Sequence, residues 1–253
     1  MPETVSAARI ANGATTANRA ATPGISFADV VTAEFGLLYQ QQLANRLDAA
    51  SERHLLVWRA PQALIVGRRD SHLPDFSQTV DRLRDEGWPV LIRRSGGTAC
   101  PVSRGTLQIA LARIVVPKVT IETAYMELAG FISTVLKSYG LEAEIGENPN
   151  AFCPGRYDIS VNGRKIAGLS QHWRRCNGHA TATTAATLVV DHDREQLAHI
   201  VNLFYQSAGG QAQCSVCAIG DVRSALQQPS LSGKSLTDDV RKRIEAIWSE
   251  AQS

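Results

Sequence analysis

The tightest constraint on this chain is the dipeptide Asn162-Gly163, set between two short apolar-alternating runs, Asp158-Ile-Ser-Val161 and Arg164-Lys-Ile-Ala167. Asn-Gly suits a two-residue turn in which both central positions take φ > 0. The spacing predicts a β-hairpin in which Val161 pairs with Arg164, Ser160 with Lys165 and Ile159 with Ile166. Side chains alternate along a strand, so Lys165 falls on the face opposite Ile159, Val161 and Ile166. A lysine so placed is either an ordinary solvated side chain or one aimed into a site, and periodicity alone favours the first.

Composition bounds the rest. A chain of 253 residues can bury one large α/β core. Lysine and arginine total 26 against 24 aspartates and glutamates, so no basic field points to nucleic acid. No run of eighteen apolar residues occurs, and no membrane span or membrane partner is expected. Five cysteines, an odd number in a chain too large to need staples, fit free thiols in a reducing, cytoplasmic setting. Residues 1–24 read as a flexible arm, acid-poor and without the apolar stretch of a secretory signal. A transit peptide is the second reading of that arm. Residues 25–253 read as one domain.

Within that domain the periodicity predicts a helix from Phe27 to Ala50 capped by Ser26, then strands His54–Arg59 and Ala63–Gly67. A helix over Asp75–Gly87 follows, with strands Pro89–Arg93 and Leu107–Val116. Thr120 or Glu122 opens a helix reaching Tyr139. After the hairpin, Trp173–His179 reads as a basic turn and Thr181–Asp191 as a strand. Asp193 caps a helix over Arg194–Ser207. A short helix near Asp221–Gln227, a loop over Pro229–Gly233 and a last helix capped by Ser235 or Thr237 and reaching Trp248 complete the chain. Cys214-x-x-Cys217 lacks a second ligand pair at zinc spacing, and no resident metal is expected.

Two features carry chemistry. Arg93-Arg-Ser-Gly-Gly-Thr-Ala99 is a strand end with two guanidinium groups running into a glycine turn. Glycines let backbone N–H groups approach a ligand, and arginine forks suit phosphate or carboxylate; a plain tight turn on a basic edge is the alternative. Cys153, just ahead of the hairpin, is either an inert buried thiol or one activated by Arg156 and Lys165.

The stretch Gly155-Arg-Tyr-Asp-Ile-Ser-Val-Asn-Gly-Arg-Lys-Ile-Ala-Gly-Leu-Ser-Gln171 resembles the lysine-hairpin motif of the lipoate–protein ligase A family. The Arg93–Ala99 segment resembles that family's Arg-Arg-x-Ser-Gly-Gly loop, one position shorter, and Trp58–Arg68 its early strand pair. The resemblance covers roughly residues 25–205. It implies an α/β (α+β) fold, a mixed β-sheet with flanking helices like the catalytic domains of biotin/lipoate–protein ligases and octanoyltransferases. The expected activity is attachment of a lipoyl or octanoyl group to a lysine of a lipoyl carrier domain, of the 2-oxoacid dehydrogenase E2 or glycine cleavage H protein type. The resemblance makes Lys165 a catalytic cation facing carbonyl and phosphate oxygens. It makes Arg94, Ser95, Gly96, Gly97, Thr98, Asp158 and Gly168 contacts to substrate or adenylate.

Departures from the pattern divide the mechanism. Where the family continues with His-Asp and then Gly-Asn, this chain has Val102-Ser103 and Gly105-Thr106, and Thr184-Ala185 stands where a histidine usually opens a strand. Fewer than fifty residues follow position 205, a short helical extension in place of a full accessory domain. A ligase would use ATP and Mg²⁺ to activate lipoate or octanoate. A transferase would need neither, taking the acyl group from an acyl carrier protein or lipoyl protein onto Cys153, placed as in the cysteine-using transferases of the superfamily. A lapsed protein that only binds a lipoate-like or biotin-like acid is the third reading.

Overall fold

The computed structural model describes residues 24–48, 50–226 and 233–252. The N-terminal arm, Gly24 apart, and all but the end of the Pro229–Gly233 loop lie outside them. Among the described residues ten strands form two sheets: β1 (Ile25–Asp29), β2 (Arg53–Arg59), β3 (Ala63–Val66), β4 (Val90–Ile92), β5 (Cys100–Val102), β6 (Thr106–Ile114), β7 (Glu144–Ile145), β8 (Ile159–Val161), β9 (Arg164–Cys176) and β10 (His179–Val189). The larger sheet runs β1-β2-β6-β10-β9-β8-β7 and is antiparallel except where β1 pairs parallel with β2. The smaller runs β4-β3-β5. Six α-helices among the described residues flank them: α1 (Ala33–Gln42), α2 (Phe76–Asp85), α3 (Ile121–Lys137), α4 (Arg194–Ala208), α5 (Val222–Leu226) and α6 (Gly233–Glu250).

One face of the large sheet is sealed by the apolar stripes of α3 and α6, with Leu128, Ile132, Val135, Val240 and Ile244 against Leu55, Leu107, Ile109 and Ile159. The other face meets α1 and the small sheet through Leu56, Trp58, Ala63, Ala110 and Ala185. Behind the small sheet, Leu64 and Val66 pack on Leu197, Val201 and Phe204 of α4. Fully burying each such aliphatic side chain stabilises by about 1.5–3 kcal/mol. The space between the two sheets is where a ligand can enter.

Four expectations give way. Ser26 lies in β1, its hydroxyl bonded to His54 Nε2 at 2.7 Å, and α1 begins after Thr32, which caps Phe35 N. Residues 25–29 instead extend beside β2, because Ile25 and Phe27 can join the core that Leu55 and Val57 already line. The basic segment after Trp173 continues β9 to Cys176. The turn comes at Asn177-Gly178 (φ 50° and 81°), a second Asn-Gly turn of the kind seen at Asn162-Gly163 (φ 52° and 72°). The last helix starts at Gly233, so neither Ser235 nor Thr237 stands at its cap. Finally, Ile159 pairs with Ala167, not Ile166, as the register shifts between Ile159 and Ser160.

Gly36 of α1 admits the Trp58 ring: a Cβ there would lie 2.2 Å from Trp58 Cε3. Gly36→Ala is therefore expected to lower unfolding free energy by about 1–3 kcal/mol through overpacking, as read by urea denaturation. His54 is pushed down to about 4, by burial first and then by the Arg46 charge. Its folded value lies below the ordinary 6.5, so its contribution to stability is complete above pH 6.5 and is lost as pH falls toward 4. His54→Gln should flatten the fall in Tm across that window; an unchanged slope would exclude His54 as its source.

Candidate active site

The register shift on the hairpin builds the site. Along a regular strand, residues three apart face opposite ways. The bulge at Ile166-Ala167 places both of those side chains in the core under α3 and α6. Lys165 and Gly168 consequently share the opposite face: a Cβ on Gly168 would meet Lys165 Cε at 2.8 Å and Nζ at 2.9 Å. Glycine at 168 is what lets the lysine lie across the strand.

Lys165 is fully buried. Its Nζ donates to Phe152 O (2.8 Å) and Cys153 O (2.6 Å) and pairs with Asp158 Oδ2 (2.8 Å). Three ammonium protons thus have three acceptors. Asp158 Oδ2 also accepts from Gly155 N at 3.0 Å. Burial pushes the Asp158 carboxyl up, against the pull of Lys165 and of backbone N–H groups. The lysine holds the 152–155 turn in place, and in that turn Cys153 takes φ 45°, a left-handed conformation uncommon for a side-chain-bearing residue.

Cys153 Sγ in turn accepts from Thr98 N (3.2 Å) and Arg93 Nη2 (3.3 Å). Arg93 is buried and threads the glycine loop, donating to Gly96 O, Thr98 O and Ile65 O. Gly97 (φ 99°) has no room for a side chain: a Cβ would stand 2.4 Å from Arg93 Nη2 and 2.8 Å from Cys153 Sγ. Gly67 approaches Gly97 O as closely, and Tyr205 of α4 ties the loop down, accepting from Ala99 N and donating to Asp70. Sequence reasoning missed Arg93 as the inward arginine. The signal was present: alternation sets it opposite Ile92, which is exposed.

A cleft of about 490 Å³, open mouth included, starts at Cys153 and runs between the sheets. One row of paired residues forms its floor: Gly168 opposite Thr187, Thr187 opposite Gln108, Gln108 opposite Trp58. Leu37, Ile65, Leu169 and Ala185 supply apolar lining. The Trp58 ring rests over Gly36 and donates to Gln40 Oε1 at 3.0 Å, which fixes it at the far end. Thr187 donates to Gln108, and Gln108 to Thr106. Ser103 and Thr106, where the family pattern has other polar residues, close a buried turn on themselves.

Of the other sequence candidates, Ser95 bonds Ser170 across the loop, and Arg94 is exposed. Arg94 lines a second cavity with Arg93, Ser95, His172 and Arg174. Burial, then the charges of Arg174, Arg94 and Arg68, push His172 below the ordinary histidine value. All five cysteines are free thiols. No helix among the described residues is long and apolar enough to cross a membrane.

The profile of the lipoyl protein ligase A/B catalytic domain matches residues 32–244. The chain belongs to this family. It is 30% identical over 234 residues to an octanoyl-[GcvH]:protein N-octanoyltransferase of Geobacillus kaustophilus, covering 87% of this chain and 79% of that relative. It is 29% identical to a lipoyl-[GcvH]:protein N-lipoyltransferase of Listeria monocytogenes, over 62% of this chain and 55% of the other. A further octanoyltransferase relative, of Kyrpidia tusciae, is 34% identical, with 65% of its own length covered. In fold the chain is similar to a crystal structure of lipoate-protein ligase A bound with ATP, at TM-score 0.69 and 17% identity, over 89% of this chain and 83% of that one. The expected fold, a mixed sheet with flanking helices of the lipoate ligase kind, is the one found.

Removing one partner of a buried ion pair strands the other charge. Lys165→Met is expected to cost about 3–5 kcal/mol of stability, and the double variant with Asp158→Asn to recover part of it. Chemical denaturation of the four proteins of the cycle measures the coupling, and purely additive losses would contradict it.

Proposed function

We propose that this protein transfers an octanoyl or lipoyl group to a lysine of a lipoyl carrier domain through a thioester on Cys153. The observation that carries this reading is the sulfur's setting: Thr98 N and Arg93 Nη2 both donate to Sγ at the head of an apolar cleft. The Cys153 sulfur attacks the donor's acyl carbonyl, a new C–S bond forms, and the donor's leaving group departs with the cysteine proton. The carrier lysine then attacks the thioester, an amide forms, the C–S bond breaks and the thiol is restored.

Lys165 acts as a positioning residue, since its protons are committed to the carbonyls of residues 152 and 153 and to Asp158. That commitment weighs against an adenylate mechanism, in which the same ammonium would face a phosphate with ATP and Mg²⁺ bound. The cleft's size supports a medium-length acyl chain. Three strand spacings separate Gly168 from Trp58, about 14 Å at about 4.8 Å each. An eight-carbon chain extends about 10 Å, from bonds near 1.5 Å. The family membership and the names of the relatives, octanoyl-[GcvH]:protein and lipoyl-[GcvH]:protein transferases, support transfer of such an acyl group to a protein acceptor.

An apo lipoyl domain incubated with protein and octanoyl donor, with no ATP, should gain one octanoyl mass. Cys153→Ser should abolish that gain and the acyl-enzyme adduct seen by intact mass spectrometry. Modification that requires ATP and survives Cys153→Ser would replace this reading with ligation.

A further inference from the structure

Helix α4 grips both halves of the site without lining the cleft. Asn202 and Tyr205 stand three residues apart on it, so their side chains leave one face. Asn202 closes on the backbone of Cys214: its Nδ2 donates to Cys214 O at 2.9 Å, and its Oδ1 accepts from Cys214 N at 2.7 Å. The next residue, Ser215, donates its N–H to Asn150 O at 2.8 Å. Asn150 begins the run into Cys153, so this arm holds the turn that carries the sulfur.

Tyr205 works on the other half. Its hydroxyl accepts from Ala99 N at 2.9 Å and donates to Asp70 Oδ1 at 3.1 Å, while Asp70 Oδ2 accepts from Gly67 N at 3.1 Å. With both its oxygens accepting, the Asp70 carboxylate takes the Tyr205 proton and leaves a hydroxyl lone pair for Ala99. The peptide joining Thr98 to Ala99 is thereby held at both poles, its N–H by Tyr205 and its C=O by Arg93 Nη2 at 2.7 Å. A planar unit held at both poles resists rotation, so the Thr98 N–H just before it keeps its aim at Cys153 Sγ. Asp70, Tyr205 and Ala99 are buried, and a donor or acceptor freed there has no water to replace its partner. None of Asn202, Tyr205 and Asp70 is among the residues that line the cleft.

Resting on the reading that Cys153 is the nucleophile, we propose that Tyr205 and Asn202 are positioning residues that set the reactivity of its sulfur. Tyr205, oriented by Asp70, aims the Thr98 N–H, and Asn202, through Cys214 and Ser215, keeps the sulfur beneath it. An N–H aimed at sulfur stabilises the thiolate, the form that attacks. A bond with only a structural role would change stability and leave thiol reactivity alone.

The test follows alkylation of Cys153 by iodoacetamide across pH in the full chain, read by peptide mass spectrometry to separate it from the other free thiols. Tyr205→Phe removes only the hydroxyl and is expected to raise the pH midpoint of alkylation by about one pH unit, as loss of a charge-assisted hydrogen bond does. Acylation of Cys153 near neutral pH should fall about tenfold in kcat, with KM for the octanoyl donor held because the cleft is untouched. Asp70→Asn keeps the volume and an oxygen for Gly67 N, and should move the midpoint the same way even where Tyr205→Phe does not fold. Asn202→Ser should also raise it, and the double variant with Tyr205→Phe should shift less than the sum, because both break one contact at Sγ. Circular dichroism confirms that each variant read is folded. An unmoved midpoint in folded Tyr205→Phe or Asp70→Asn, or fully additive shifts in the double variant, overturns the proposal. Alkylation needs no acyl donor, so a shifted midpoint without a wild-type acyl-enzyme overturns the thioester reading alone. An acyl-enzyme with an unmoved midpoint overturns the positioning alone.

Discussion

The buried ammonium of Lys165 is the interaction on which the site depends. Taking a lysine wholly out of water costs several kcal/mol unless its protons find partners and its charge a counter-ion. Here two backbone carbonyls and the Asp158 carboxylate provide both. The carbonyls belong to residues 152 and 153, so satisfying the lysine fixes the turn that carries Cys153. An otherwise costly buried charge thereby becomes the device that holds Cys153 in an unusual backbone conformation.

A second arm of the same construction comes from the glycine loop. Arg93 is buried because its guanidinium bonds three carbonyls of its own neighbourhood, and only then does its remaining reach extend to Cys153 Sγ. Gly97 and Gly67 are required by contact distance, since backbone and sulfur occupy the space a side chain would take. The loop and the cysteine turn therefore fit one another only in this arrangement, with Tyr205 and Asp70 anchoring the loop to α4.

The cleft follows from sheet register more than from any one residue. Gly168, Thr187, Gln108 and Trp58 come from four strands and are aligned by pairing. Their polar members bond one another along the floor, so the cleft can hold an apolar chain without leaving donors unmatched. Trp58 stands firm at the end because α1 offers it a glycine and a glutamine at the right places.

Much of this was legible in the chain itself. The Asn162-Gly163 turn, the cap at Asp193 and the stripe of α3 are local statements, written in residue type and spacing. The Asn162-Gly163 turn fixed the hairpin, and the glycine-rich loop and lysine motif identified the family. Spacing set Lys165 opposite Ile159, Val161 and Ile166, as found, but could not decide what shares its face. A one-residue bulge turned Lys165 and Gly168 to the same side, and the choice between Arg93 and Arg94 depended on which of them found carbonyls inside the fold. The strand at Ile25–Asp29 was likewise hidden, because its pattern also suits a helix and only the neighbouring β2 made extension the better burial. Period and turn chemistry are properties of the chain. Facing, register shifts and the meeting of Cys153 with residues 93–98 arise only when distant segments compete for the same buried space.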